Sequence, residues 1–339
     1  MFALTVPGLA GLAVRSMGGL DGVTPTDQGF DGRSDVVLLD VGRGARSEVV
    51  DASLVEDVFV EVGRASRADG DSARRIAGRL WPEDLVARAL SIWAEERGPL
   101  RAGMSFRVIV RVLQENSFLR TDLRREMTTV ISQDRPKWKF ADPSDLEVWV
   151  IEFAPGRFVA GLRLSDERMR QHGGRSSQRQ GALRPTVAAA LVELAGRPDG
   201  LLLDPCCGSG TILVEAARAG WHPVGIDIDP SAVEIARENA PSAEVSVGDV
   251  RHLRLDTATV GASVSNLPFG KQFELEGDPQ TWLRQALTEL VRVTRPGGHV
   301  VVLVPHLSRP AIPRDLTMTD HVTIRLLGTP TTIWAFTRA

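Results

Sequence analysis

Tyrosine is absent from this 339-residue chain, and cysteine occurs only as the adjacent pair Cys206-Cys207. Neighbouring cysteines are poorly placed to bridge each other and offer no Cys-x-x-Cys spacing, which argues against a disulfide framework and against a zinc site. Aromatic residues make up 5% of the chain, so stacking on a flat ligand falls to phenylalanine or tryptophan. There is no run of eighteen apolar residues. The apolar opening, residues 1–13, lacks a basic leader and is interrupted by Pro7 and Gly8, so neither a membrane span nor a signal peptide is expected, and the expected location is the cytoplasm. The net charge of −3 supplies no whole-molecule field that would attract a polyanion. His172, His222, His252 and His299 show no ligand spacing, and no metal is expected.

What is present reads as a folded chain of two or three domains, with 43% hydrophobic residues. Residues 2–64 alternate short apolar strands with one helix: "FALTV", "GLAGLAVRSM" at helical spacing, "DVVLLDV" at 35–41 and "DVFVEVG" at 57–63. Residues 64–74 are polar and turn-rich, and mark a boundary. Beyond it the pattern predicts a helix near 82–97, a strand at 106–113, a helix near 119–132, and strands at 146–153 and 157–164 joined by Ala154-Pro155-Gly156. Two small α+β units are therefore expected before residue 165.

Charge is concentrated locally. Residues 101–140 hold nine basic side chains against four acids, and residues 163–184 hold six arginines against Asp166 and Glu167. A solvated face and a flexible linker would look the same. A polyanion-binding chain would also place its charge this way, because phosphate neutralisation supplies most non-specific affinity.

From Pro185 the chain alternates helices and strands. Helices are expected at 185–195, 209–219, 230–239 and 279–293, and strands at 200–204, 222–227, 243–248, 262–266 and 299–305, before two final apolar runs, "HVTIRLL" and "TTIWAFT". Repeated β-α units with nearly continuous apolar strands predict an α/β fold with a parallel sheet covered on both faces. The closing pair has no helix between its strands, so one of them should run antiparallel.

"LLLDPCCGSGTILVEAA" at 201–217 places Asp204 at a strand end, then Gly208-Ser209-Gly210, then a helix. Glycines allow close backbone approach, and a helix N-terminus offers unpaired N–H groups at the carboxyl ends of the strands. Asp227 ends the second strand, where a carboxylate can accept from both hydroxyls of a ribose. Asp249 follows the third strand and can accept from an adenine amine. A dinucleotide dehydrogenase shares the glycine turn, but Leu213 stands where its third glycine is required. Asp204 lies four residues before the first glycine, which suits a ligand with an ammonium group and repels a pyrophosphate. S-adenosylmethionine is the expected cofactor.

The fourth strand ends in "VSNLPFG", residues 264–270. An exocyclic amine on a base is a poor nucleophile because its lone pair is delocalised into the ring. The Asn266 side-chain oxygen and the Leu267 carbonyl can accept from that amine and favour a pyramidal nitrogen, while Phe269 stacks on the base. Asparagine is no strong base, so the proton leaves late, to water or another carboxylate.

Through "DPCCGSGTILVEAA" and "NLPFG" the chain resembles the THUMP-domain class I RNA methyltransferases. That resemblance implies a ferredoxin-like domain over 1–70, a THUMP RNA-binding domain over 71–165, a basic linker over 166–183, and a Rossmann-like methyltransferase over 184–339. It implies catalysis by the Asn266-Leu267-Pro268-Phe269 loop. It implies cofactor contacts from Arg184, Pro185, Thr186, Asp204, Cys206, Gly208, Ser209, Gly210, Thr211, Asp227, Ile228, Asp249, Val250 and Asn266. RNA contacts are expected from Arg120, Arg124, Arg125, Lys137, Lys139, Arg175 and Arg179, while Trp138, between Lys137 and Lys139, reads equally as a side chain stacked on RNA or as a half-buried hairpin residue. The implied reaction is methylation of guanine N2 in tRNA, at position 6 of the acceptor stem, by a monomer. The same reaction on 23S ribosomal RNA, and a non-catalytic RNA-binding protein, are the alternatives. Leu267 departs from the family, where a second proline often stands, and loosens the loop. Cys206 and Cys207 are expected to pack beneath the cofactor turn.

Overall fold

The computed structural model describes residues 1–166, 182–268, 278–326 and 329–339. The chain forms two compact units, Met1–Arg170 and Gln171–Ala339.

In the first unit the chain runs β1 (Phe2–Thr5), α1 (Ala10–Gly18), β2 (Val23–Phe30), β3 (Asp35–Val41), α2 (Arg46–Val50), β4 (Asp57–Ser66), α3 (Ala73–Leu80) and α4 (Glu83–Arg97). It continues through β5 (Ser105–Arg111), α5 (Arg120–Asp134), β6 (Lys139–Phe140), β7 (Leu146–Ala154) and β8 (Arg157–Arg163). All eight strands join one sheet in the order β2-β3-β1-β4-β8-β7-β5-β6. The segments read separately on either side of residue 70 therefore share a sheet: β4 pairs with β8 antiparallel, Val60 opposite Leu162. They also share a core, in which Phe2, Leu4, Val36, Leu38 and Phe59 pack with Trp149, Ile151, Phe153 and Val159. Gly161 makes this packing possible, since a Cβ there would lie 2.4 Å from the Phe2 ring.

Four elements of this unit lie outside the sequence expectation: β2, α2, α3 and β6. In β2 every second residue faces solvent and Pro25, Asp27 and Gly29 interrupt its apolar pattern, so its strand character comes from pairing with β3. The short α3 lies at the end of the segment read as a polar boundary; Ser72 caps it by accepting from Arg75 N, and Ile76, Ala77 and Leu80 are buried.

The second unit contains α6 (Pro185–Leu194), β9 (Leu201–Asp204), α7 (Thr211–Arg218), β10 (His222–Asp227), α8 (Pro230–Asn239), β11 (Glu244–Val247) and β12 (Val260–Asn266). After these come α9 (Pro279–Val293), β13 (Thr294–Val304), β14 (Leu316–Leu326) and β15 (Thr329–Arg338). The sheet order is β11-β10-β9-β12-β13-β15-β14. The first five strands are parallel. As expected from the missing helix, β15 is antiparallel to both β13 and β14. One face is packed by α7 and α8 through Cys207, Leu213, Val233 and Ala236. The other is packed by α9 through Leu283, Ala286, Leu287 and Leu290 against Leu203, Val300 and Val302. The order of strands reverses between β9 and β12, which opens a crevice at their carboxyl ends, the usual ligand position in open α/β sheets.

Candidate active site

Four strand ends border this crevice, and each delivers a polar residue that the sequence reading singled out. Asp204 ends β9 and is 1% exposed. Its Oδ1 accepts from Ser265 Oγ at 2.8 Å and from Cys206 N at 3.2 Å. Burial, with the Asp227 carboxylate adding repulsion, pushes the Asp204 carboxyl up to about 7. In the absence of a cationic partner this group therefore holds its proton well above the ordinary carboxylate range.

The glycine turn that follows is built for close approach. Gly208 and Gly210 have φ of 53° and 82°, the left-handed region in which a side chain is strained. A Cβ on Gly208 would meet nothing within 4 Å, whereas one on Gly210 would lie 3.2 Å from Ala236 Cα. Gly210 thus lets α7 start against α8, and Gly208 keeps the open side of the turn clear. Asn239, at the end of α8, holds the turn by donating to Ser209 O at 2.9 Å. Ser209 and Thr211 are buried.

Asp227 ends β10 and accepts from Gly208 N at 2.8 Å and from Asp229 N at 3.0 Å. Next to it Ile228 is 69% exposed, an apolar side chain with a free face beside the crevice. Asp249 follows β11. Both its oxygens are taken by the Arg251 guanidinium, at 2.7 to 3.1 Å, and these hydrogen bonds hold its carboxyl below the usual range. Val250 is buried beside it.

Asn266 ends β12, with Leu267 buried behind it and Pro268 half-buried. The Asn266 Oδ1 atom is buried and has no hydrogen-bond partner among the described residues. A buried acceptor without a donor costs on the order of 1–3 kcal/mol, so this oxygen calls for a donor from beyond the described residues. Phe269, together with Gly270, lies outside the described residues, as do Arg175 and Arg179.

Cys207 is buried and Cys206 half-buried. Burial first, then the Asp204 and Asp227 carboxylates, push both thiols well above their ordinary range. They are neutral packing groups under the turn and poor nucleophiles. Arg184 stands before α6, exposed, while Pro185 is the first residue of that helix and Thr186 is buried.

Three residues here escaped the sequence reading: Ser265, Arg251 and Asn239. Ser265 was legible in principle. In a strand buried along its length, Ser263 and Ser265 at alternate positions require internal partners, and they find Thr294 and Asp204.

In the first unit the basic cluster divides. Arg107 is held by Asp142 and Glu147, Arg111 by Asp31 while it stacks over Trp149, and Arg101 by Asp145. The charges of Arg107 and Arg111 are consumed inside the fold, whereas the Arg101 pair lies at the surface. Arg120 and Arg125 make only exposed pairs, with Glu115 and Asp122, which contribute little and exchange readily. Arg124, Lys137 and Lys139 are exposed and have no ion pair among the described residues. Trp138 is half-buried, 6.3 Å from the Phe106 ring, so it is more wall than platform. Phe140, on the edge strand β6, packs edge-on against Phe106 and is 55% exposed.

Comparison with known proteins narrows the chemistry. Residues 172–312 match the family described as UPF0020: RMKL-like, methyltransferase domain. The chain is similar to the U6 snRNA (guanine-N(2))-methyltransferase THUMPD2 of Bos taurus, 38% identical over 36% of this chain and 25% of the relative. It is similar to the tRNA (guanine(10)-N2)-dimethyltransferase of Methanothermobacter thermautotrophicus, 37% identical over 37% of this chain and 39% of that one. The tRNA (guanine(6)-N(2))-methyltransferase THUMP3 of Bos taurus is 29% identical over 59% of this chain and 44% of its own. The chain thus spans less than half the length of each of these relatives. Along its whole length it shares the fold of TrmN from Thermus thermophilus, with a TM-score of 0.77, 24% identity and coverage of 100% and 99% of the two chains.

Proposed function

We propose that this chain, with a methyltransferase domain as its second unit, transfers the methyl group of S-adenosylmethionine to N2 of a guanine in tRNA. The observation that carries the reading is the buried Asn266 Oδ1 at the end of β12, which has no hydrogen-bond partner among the described residues, beside the strand end that carries Asp204. A carbonyl oxygen in that state calls for an N–H donor, and an exocyclic base amine is one.

Bound S-adenosylmethionine supplies an electrophilic methyl on a sulfonium. The residues of this chain do the rest. Asp204 receives the ammonium of the cofactor's amino-acid end, which draws the carboxyl into its ionised form. Asp227 exchanges its hold on the turn for the ribose hydroxyls, and the side-chain-free Gly208 admits the ligand to the backbone. Ile228 covers the adenine with its exposed face. Arg251 occupies the Asp249 carboxylate, so an adenine amine shares that acceptor with a guanidinium. Asn266 Oδ1 and the Leu267 carbonyl take the two hydrogens of the guanine amine and aim its lone pair at the methyl, with Phe269 stacked on the base. Transfer is then mainly a matter of distance and alignment, and the amine proton departs to water after the bond has formed.

In this reading residues 1–70 are the ferredoxin-like part and residues 71–165 the THUMP part of an RNA-holding unit. Arg124, Lys137 and Lys139, with no ion pair among the described residues, are its phosphate contacts, with Arg120 and Arg125 behind them. The relative named for guanine 6 of tRNA matches the longest stretch of this chain among the three, which favours position 6. The relative named for U6 snRNA has the higher identity over a shorter stretch and makes snRNA the reading to exclude.

The test is methyl transfer from labelled cofactor to unmodified tRNA, 23S ribosomal RNA, U6 snRNA and DNA in separate reactions, followed by nucleoside mass spectrometry. N2-methylguanosine from tRNA alone is expected. Label in snRNA or ribosomal RNA alone would replace the substrate, label in adenine or cytosine would replace the acceptor base, and no label in any arm would leave RNA binding without catalysis.

A further inference from the structure

Nothing in the cofactor reading requires a particular residue before Asn266, yet the side chain there makes the most buried polar contact in the crevice. Ser265 and Asp204 are 0% and 1% exposed, and the Ser265 Oγ to Asp204 Oδ1 distance is 2.8 Å. The bond spans the point where the sheet reverses, from β12 to the adjacent β9, whose pairing sets Ser263 opposite Leu203. Cys206 N donates to the same oxygen at 3.2 Å. Both donors therefore fall on Oδ1, and no donor to Oδ2 is found among the described residues.

We propose that Ser265 is a positioning residue of the methyl-transfer site: its hydroxyl fixes the Asp204 carboxylate so that Oδ2 receives the cofactor's ammonium. The proposal rests on the cofactor reading above. Among the described residues the groups facing Asp204 are the Asp227 carboxylate from β10, the neutral thiols of Cys206 and Cys207 in the turn, and the uncharged Ser265 from β12. Among these side chains only Ser265 donates a hydrogen bond that favours the ionised carboxylate, and burial and Asp227 both oppose ionisation. Loss of the hydroxyl leaves the Cys206 N–H as the remaining donor and makes the carboxylate harder to ionise. Ligands with an ammonium group are then penalised at neutral pH, and ligands without one are not.

The experiment is calorimetric titration of the full chain and of Ser265→Ala and Ser265→Thr with S-adenosylhomocysteine and with 5′-methylthioadenosine, which lacks the amino-acid end, between pH 6 and pH 9. For the wild type, affinity for S-adenosylhomocysteine should rise with pH through about 7, while affinity for methylthioadenosine stays flat. For Ser265→Ala the rise should move to higher pH, with a loss of roughly tenfold at pH 7, the size expected for a hydrogen bond to a charged group, and partial recovery at pH 9. Ser265→Thr, which keeps the hydroxyl, should follow the wild type. A Ser265→Ala curve that superimposes on the wild type overturns the proposal and leaves the cofactor reading standing. Equal losses for both ligands at every pH also overturn it, since they report a collapsed crevice. A wild type that binds neither ligand at any pH overturns the cofactor reading and this inference together.

Discussion

The backbone N–H of Gly208 donates to Asp227 Oδ2 at 2.8 Å, so the carboxylate at the end of one strand holds the glycine turn that follows its neighbour. The second oxygen accepts from Asp229 N and shapes the entry to α8. A ligand with vicinal hydroxyls competes for these oxygens, and the turn is free to follow it because Gly208 has no side chain to obstruct either position.

Asp227→Ala removes both functions. Affinity for S-adenosylhomocysteine should fall on the order of 10- to 100-fold, as for the loss of charge-assisted hydrogen bonds. Turnover at saturating cofactor should change far less. Calorimetric affinity set beside initial rates checks this, and equal losses in both would contradict a binding role.

Asn266→Ala removes an acceptor that has no partner among the described residues. Turnover should drop on the order of 10²-fold, the size seen when one preorganised polar group is lost from a reacting centre. Affinity for S-adenosylhomocysteine should stay within about twofold, since the cofactor's anchors are elsewhere. Single-turnover methylation of tRNA measures the first quantity and calorimetry the second.

Asp204 makes stability depend on pH. Its folded pKa of about 7 lies above the ordinary value of 3.8, so the folded chain binds this proton more tightly than the unfolded chain. The contribution is fully present below pH 3.8 and is lost as pH rises through about 7. The melting temperature of the ligand-free protein should therefore carry a downward component across that window, absent in Asp204→Asn. S-adenosylhomocysteine should flatten the wild-type slope by supplying the counter-charge. Thermal melts with and without ligand at several pH values test the sign, and an Asp204→Asn melting profile that follows the wild type at every pH would refute it.

Charge reversal at Arg124 and Lys137 removes two exposed cations that make no ion pair among the described residues. Binding of tRNA should weaken, and the slope of log affinity against log salt should flatten by about one for each phosphate no longer neutralised. Reversal at Arg111, which is bound to Asp31 and stacked over Trp149, should instead lower the melting temperature. Unchanged binding in the double variant would remove this surface from the RNA interface.

Glu152 tests the first unit. Buried at the end of β7, it accepts from Leu113 N and from Gly156 N, both at 2.8 Å, and pairs with Arg67. Each oxygen faces a backbone donor, so the amide of Glu152→Gln must turn its nitrogen toward an N–H group. A loss of roughly 2–3 kcal/mol is expected in urea unfolding, the range for a buried polar partner left unsatisfied.

Whatever depends on neighbours along the chain was legible before any coordinates. The β-α alternation after Pro185, the glycine turn, the polar residues closing four strands and the hairpin that ends the sheet all belong here, because apolar period and turn chemistry are local properties. What depends on partners far away in sequence emerged only on folding. β2 is a strand because β3 lies beside it, and the boundary at 64–74 is crossed by one sheet because β4 finds β8. Part of the apparent basic cluster turns inward because acids from other strands and loops meet it. Asp249 shares its carboxylate with Arg251, and Asp204 holds its proton to about pH 7 because burial outweighs the hydrogen bond from Ser265, 61 residues away. Charge, burial and hydrogen-bond pairing are sums over everything nearby in space, and only the folded chain specifies what is near.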